Sequence, residues 1–430
     1  MRTRRFIIIS TLLTMLLAWP FTLAGLMLPP QYQDTYLGAF QEKCRLLERT
    51  PGKRIIVAGG SGAAFAIDSA LLERFFPGYS AVNLGMYGDL GIKLHLDIAR
   101  SYLHEGDIVI IAPEQHAQTL SLRVGGRSAL QCLDGAWALL LRMDSADFGK
   151  LMAYLPEFSL EKWRYALSGA RPEGEGVYRR DAFNRYGDIE TDIAAANIMP
   201  GLYDPTMAIS YDPAQLEQSF VEYLNRFATS AKRSGAEVCY YFCPANRLAV
   251  AGEYAPDDFY NALSEALTFP ILGDPNHSVM EAGWFFDTNF HLNQSGRAVY
   301  TRQLIRDLKA WKGIATRTDI ALPPLPSPAP HGDGFTVTRD MWAGNAEITE
   351  VELPENTIVI EDYAFDGCDA LKYIHIRNPR PSGIIVGDHL LDGTAAALIV
   401  PRGSLSTYRT DYRFSRYADR IEEEKRSPSD

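Results

Sequence analysis

The 430-residue chain reads as an α/β protein. Its main domain is a three-layer sandwich around a parallel sheet, with an apolar helix before it and a small strand-rich domain after it. Three observations predict this. An almost uncharged run opens the chain, and apolar runs then alternate with amphipathic stretches from Lys53 to about Gly313. After a proline-rich spacer the texture changes to short, regularly recurring strand-like segments.

At the N-terminus, Arg2, Arg4 and Arg5 precede the run from Phe6 to Leu28, which ends before Pro29-Pro30. At ~1.5 Å rise per residue, a helix over this run is about long enough to cross a bilayer. Its basic flank should stay cytoplasmic, leaving the rest of the chain outside. Ala18 and Ala24 leave a cleaved signal peptide open. The long apolar region and the lack of a convincing small-x-small site favour an uncleaved signal anchor over residues 1–30, followed by a juxtamembrane segment over 31–52.

The main domain is expected over residues 53–312. Strand-like runs lie at Arg54–Ala58, Ser80–Leu84, Asp107–Ala112 and Glu237–Phe242, each about as long as a buried parallel strand. One intervening helix presents Leu216, Phe220, Tyr223, Leu224, Phe227 and Ala231 on a single face. Another starts near Gly296 and carries Val299, Leu304, Ile305, Leu308 and Trp311 inward. Residues 125–212 interrupt the rhythm, as a substrate-facing excursion or as surface padding. Residues 313–334 form a semi-rigid proline-rich linker. Short strands then recur over 335–422, and 423–430 is a charged tail.

A net charge of −11 argues against a nucleic-acid partner, because phosphate binding needs a basic surface. The five cysteines are scattered and odd in number. Cys239 and Cys243 have no zinc-site partners and are spaced too far along a strand for a disulfide, so all five read as small buried apolar residues. No constellation points to a metal or another cofactor.

Two distant stretches carry the chemistry. Arg54-Ile55-Ile56-Val57-Ala58-Gly59-Gly60-Ser61-Gly62 is an apolar strand ending in a glycine-flanked serine. Phe286-Asp287-Thr288-Asn289-Phe290-His291-Leu292-Asn293 precedes Gly296 and the last helix of the domain. Ser61 would sit at the carboxyl edge of the sheet, at a helix start whose free amides can stabilise an oxyanion. His291 would take its proton and Asp287 would hold the imidazole tautomer. A dinucleotide-binding turn is rejected: Phe65 stands at the third glycine position, and Asn83-Leu84-Gly85 lacks a ribose-binding acid. Asn246, Asn184 and Tyr186 are weaker substrate-binding candidates, with loop capping and surface turns as alternatives.

With these residues assembled, 53–312 resembles the SGNH/GDSL hydrolase superfamily, and more distantly its membrane-anchored DltD- and AlgX-like branches. Gly59-Gly60-Ser61 matches the nucleophile block, Asn83-Leu84-Gly85-Met86-Tyr87-Gly88 the second block, and Asp287, His291, Asn293 and Gly296 the final block. The resemblance implies a flavodoxin-like parallel sheet and an oxyanion hole built from Ser61 with Gly85 or Gly88. Two departures stand out. The family's asparagine after the third strand is replaced by Glu114-Gln115, of which Gln115 could donate a hydrogen bond and a Glu114 carboxylate could not, leaving Glu114 a weak substrate-binding candidate. The aspartate also stands four residues before the histidine instead of three. The segment from about Ala343 to Ile421, with Ala364-Phe365-Asp366-Gly367-Cys368 and Leu398-Ile399-Val400-Pro401, resembles BspA-like leucine-rich repeats.

Taken together these imply a membrane-anchored, extracytoplasmic serine esterase or O-acyltransferase. It would act on a cell-surface polysaccharide or acylated polymer without a cofactor, tethered through residues 6–28. The alternative is an inactive scaffold presenting a repeat module to a protein or glycan ligand.

Overall fold

The computed structural model describes residues 19–174, 176–190, 197–314, 335–361, 363–381, 384–386, 389–411 and 414–425. Most of the expected span over 6–28 therefore lies outside the described residues, as does the proline-rich stretch 315–334. Residues 19–26 are helical, and among the described residues no helix is long and apolar enough to cross a membrane.

The chain forms a mixed α/β architecture with parallel sheets. Its central sheet contains β1 (Lys53–Gly59), β2 (Tyr79–Asn83), β3 (Ile108–Ala112), β4 (Glu237–Tyr241) and β5 (Ile271–Leu272), in the order β2-β1-β3-β4-β5. All pairs are parallel, with Ile55 opposite Ala81 and Ile108, and Val109 opposite Val238. This order is consistent with a flavodoxin-like fold. Strand β5 is too short to stand out in the sequence.

Period-two alternation divides the core into two layers. Ile56, Ala58, Val109, Ile111, Val238 and Tyr240 face helices α1 (Ala39–Arg49), α4 (Ile92–Arg100) and α5 (Gln218–Arg233). Ile55, Val57, Ile108, Ile110, Cys239 and Tyr241 face α2 (Ser61–Ala66), α3 (Ser69–Phe75) and α6 (Gln294–Lys312). The strands are buried on both faces, which explains why they read as continuous apolar runs. The helical stretch after β1 is two helices, broken at Ile67-Asp68, where the Asp68 carboxylate caps the Leu71 amide. All five cysteines are buried and free.

The stretch after β3 builds a third apolar cluster. Leu130, Leu151, Phe158, Val177 and Ile189 pack with Phe40 of α1, Leu94 of α4 and Phe65 of α2. Its turn at Tyr186 closes the outer edge of β2, because the Asn83 amide donates to the Tyr186 carbonyl at 2.8 Å.

Beyond the linker the chain forms two further parallel sheets. One contains Phe335–Val337, Thr357–Ile360 and Ile385–Val386; the other contains Glu350–Leu353, Tyr373–Ile376, Ala397–Val400 and Ile421–Glu423. Register pairs Tyr373 with both Glu350 and Ala397, so the chain returns to the next strand after 23 or 24 residues. Val351, Leu353, Ile374, Ile376, Leu398 and Val400 fill the interior between them, with their neighbours turned outward.

At the end of the sheet remote from Ser61, a buried ion pair ties β1 to the turn before β3. Arg54 Nη2 and Asp107 Oδ2 lie 2.6 Å apart, and both side chains are fully buried. Asp107 also accepts from the His104 amide, and Arg54 donates to the Tyr102 carbonyl. Removing one partner would strand a buried charge, which typically costs about 3–5 kcal/mol. Asp107→Ala is therefore expected to lower the unfolding free energy by about that much in a guanidinium titration. A loss below ~1 kcal/mol would mean that the pair does not anchor the sheet.

Candidate active site

Ser61 is the first residue of α2, placed there by two glycines that end β1. No side chain fits at either glycine. A Cβ on Gly59 would lie 2.4 Å from the Ala112 carbonyl oxygen, and one on Gly60 would lie 2.0 Å from Glu114 Oε2. The ends of β1 and β3 thus approach closely enough for the Glu114 carboxyl to rest on the Gly60 backbone. This is the edge where strand order reverses, the usual ligand crevice of an open parallel sheet.

The Asp287–His291 pair is assembled by a tight loop. Thr288 Oγ1 accepts from the His291 amide at 3.1 Å, and the Phe286 amide donates to the His291 carbonyl at 2.8 Å. Asn293 caps α6 through the Gly296 amide and ties back to the Gly283 and Phe285 carbonyls. This turn absorbs the extra residue between acid and histidine: His291 Nδ1 lies 2.8 Å from Asp287 Oδ1. With Nδ1–H donated to the carboxylate, Nε2 is left as the acceptor.

Two residues not singled out in the sequence complete this arrangement. The Tyr178 hydroxyl donates to Asp287 Oδ2 and lies 3.2 Å from His291 Nδ1. Phe65 stacks on the imidazole with ring centroids 4.0 Å apart and planes 1° from parallel. Tyr178 comes from the 125–212 stretch, where no local motif marked it. Phe65 had registered only as an obstacle to a dinucleotide turn.

Ser61, His291, Glu114, Gly88, Tyr36 and Tyr178 line one cavity of about 600 Å³, with Tyr87, Asp89, Arg123, Met207 and Phe290 forming more of its wall. That volume suits a small-molecule or chain-end substrate. Among the described residues, Ser61 Oγ and His291 make no direct hydrogen bond; the Ser61 hydroxyl lies beside the Glu114 carboxyl instead. Such contacts are often loose without substrate.

Glu114 is almost fully buried, at 4% exposure. Its Oε1 accepts from the Gly62 amide at 2.8 Å, while Oε2 has no hydrogen-bond partner. Burial pushes its carboxyl above the usual carboxylate range; the Gly62 amide, its own backbone, the nearby His291 and the Ser61 hydroxyl offset only part of that. The Tyr36 hydroxyl is likewise buried without a partner. Burial, and then the nearby Glu114 and Asp287 charges, hold it well above the ordinary phenol value.

The remaining sequence candidates fall elsewhere. Gln115 does not reach the cavity, because its amide donates to the Ser210 carbonyl at 3.0 Å. The Gly85 amide is spent on Asn83 Oδ1 at 2.8 Å, so it is not a free donor, whereas Gly88 opens a short helix on the cavity wall. Asn246 is a buried cap: its Oδ1 accepts from the Leu248 amide and its Nδ2 donates to the Leu202 carbonyl. Asn184 closes a turn by accepting from the Tyr186 and Asp188 amides. Tyr186 turns away to donate to Glu73 at 3.0 Å.

That turn serves the site indirectly. Asp188 accepts from the Ser69 amide and hydroxyl and from Asn83 Nδ2. Beside it, Lys43 Nζ, buried under α1, donates to the Gly85, Gly187 and Asn83 carbonyls. One ammonium thus joins α1, the loop after β2 and the inserted turn. Lys43→Met would keep the stem's volume and leave three carbonyls without a donor. At ~1–3 kcal/mol per stranded buried group, it is expected to cost at least about 3 kcal/mol. Amide exchange over Gly85–Gly88 should accelerate; unchanged protection there would show that Lys43 does not hold the loop.

No family model matches this chain, and no curated protein matches it. Among solved structures, it is similar to the crystal structure of protein YXIM from Bacillus subtilis, at 12% identity and a TM-score of 0.29. That match covers 62% of this chain and 59% of the other, and so remote a superposition carries no argument about fold or function.

Proposed function

We propose that the protein is an SGNH-like serine esterase or O-acyltransferase, anchored in a membrane and acting outside it on acyl groups of a surface glycan or polymer. The observation that carries this reading is the shared cavity. In it, a strand-end serine shares the wall with a histidine whose Nδ1 is held by Asp287 and whose plane is held by Phe65.

Ser61 Oγ attacks the acyl carbonyl as its proton passes to His291 Nε2. Asp287, itself held by Tyr178, fixes the tautomer and stabilises the imidazolium. The amides of Ser61 and Gly88 receive the oxyanion. The acyl group then passes from Ser61 to water or to a sugar hydroxyl. The membrane reading is supported by the sequence of residues 6–28, whose last part carries the exposed Trp19, Phe21, Leu23 and Met27; Phe21 stacks on Trp163 at 5.2 Å. For residues 335–422 we infer a short leucine-rich repeat module, on the parallel return of the chain every 23 or 24 residues.

One observation favours an inactive scaffold: Ser61 Oγ lies beside Glu114 and not on His291. A fluorophosphonate probe on the full chain in detergent separates the two readings. Labelling should vanish in Ser61→Ala and slow by at least about 100-fold in His291→Ala. Tyr178→Phe, which removes one hydrogen bond to a charged group, should slow it about tenfold. A folded protein that never labels, and turns over no member of an acyl-ester panel, is the scaffold.

A further inference from the structure

Glu114 is the most awkward residue in the cavity. A carboxylate beside the attacked carbonyl would repel the negative charge that develops there, and nothing positive is fixed against it. The groups facing it are the Ser61 hydroxyl from α2, the Tyr36 hydroxyl from the segment before α1, the Cys243 thiol after β4 and the His291 imidazole. Only His291 carries positive charge, and only when protonated. Farther along the wall, Asp89 and Arg123 neutralise one another at 2.7 Å.

The position of the carboxyl resolves the difficulty. Oε1 is taken by the Gly62 amide, which orients the group. Oε2 has no partner and lies between two backbones: a Cβ built on Gly60 would be 2.0 Å from it, and one built on Gly88 would be 3.6 Å from it. It therefore stands next to Ser61 and Gly88, whose amides are the backbone donors of the proposed reaction. A buried polar atom with no protein partner, on a side chain that lines a cavity, is placed to meet a ligand.

We propose that Glu114 works as a neutral acid whose Oε2–H donates a hydrogen bond to the acyl oxygen that becomes negative when Ser61 attacks, which rests on the esterase or acyltransferase reading above. The raised pKa that burial imposes on this carboxyl supports the neutral form.

The step balances without a further reactant. The Ser61 Oγ–H proton moves to His291 Nε2, the Oγ–carbon bond forms, and the carbonyl π pair moves onto oxygen. On collapse the carbonyl reforms, the carbon–oxygen bond to the leaving alcohol breaks, and that alcohol takes the proton from His291. Glu114 keeps its proton throughout.

Activity then requires neutral Glu114, so kcat/KM should fall on the alkaline side as Glu114 loses its proton. Glu114→Gln keeps an acceptor for the Gly62 amide and offers an N–H at every pH. It should retain turnover within about tenfold of wild type on the acid side and lose the alkaline fall. Glu114→Ala should lose about 10²–10³-fold, the usual effect of deleting one oxyanion donor.

Two measurements on the full chain decide the matter: pH profiles of ester turnover for these variants and Tyr36→Phe, and the infrared stretch of a protonated carboxyl in the resting protein. A band present in wild type and absent in Glu114→Gln, together with loss of the alkaline limb in that variant, supports the proposal. Absence of the band at the pH of maximal turnover overturns it. So does an alkaline limb that survives Glu114→Gln, or a Tyr36→Phe variant that loses turnover while Glu114→Gln leaves it unaltered. The band needs no substrate, so the two readings fail separately. Ser61 labelling without the band overturns only the donor role. A band without any labelling or turnover overturns the esterase reading and the donor role with it.

Discussion

Gly60 has no room for a methyl group because the Glu114 carboxyl fills the space its Cβ would take, and the arrangement of the cavity follows from that contact. It brings the ends of β1 and β3 together, sets the Gly62 amide on Glu114 Oε1, and leaves Ser61 as the first residue to turn toward open space. The same closeness removes water from the carboxyl. One steric constraint therefore bears on both the exposure of Ser61 and the raised pKa of its neighbour.

The inserted stretch after β3 has a more structural part than its composition implies. It does not simply cover the cavity. Tyr178 braces the Asp287 carboxylate from one side, while Gly187 and Asp188 are drawn into the buried network of Lys43, Asn83 and Ser69 on the other. The geometry of the candidate site and the packing of the core are joined here, since Val177 packs in the same apolar cluster as Phe65, which stacks on His291.

The main sheet was legible because strands buried on both faces must be apolar at every position. Arg54–Ala58 and Asp107–Ala112 could hardly be read otherwise. Ser61 and the Asp287–His291 pair were legible because each lies within a short local motif. Residues whose role depends on meeting a distant partner were not. Tyr36 and Tyr178 reach the cavity from segments without any motif, and β5 is only two residues long. Gln115 looked like the better donor because its chemistry is right. The chain bends here, however, with the His116 amide on the Glu114 carbonyl, so Gln115 turns to Ser210 and the residue lining the cavity is Glu114. Asn246, Asn184 and Tyr186 are not brought to the cavity wall, and each has a backbone or side-chain partner close by that satisfies it internally.

A carboxyl and a nucleophile share this cavity, and the two must not both carry charge. Burial favours the neutral form of Glu114, while the Gly62 amide and any proton on His291 favour the ionised one. That balance links the two acids of the site. In the proposed reaction, a positive charge on His291 would make it easier for Glu114 to ionise, at the moment the oxyanion makes it harder. The oxyanion is separated from Glu114 by one hydrogen bond and, like the imidazolium, lies in a cavity walled by Tyr36, Tyr178 and Phe290. The nearer charge dominates in a weakly screened interior, which in the proposed reaction would keep the proton on Glu114 through the step that needs it.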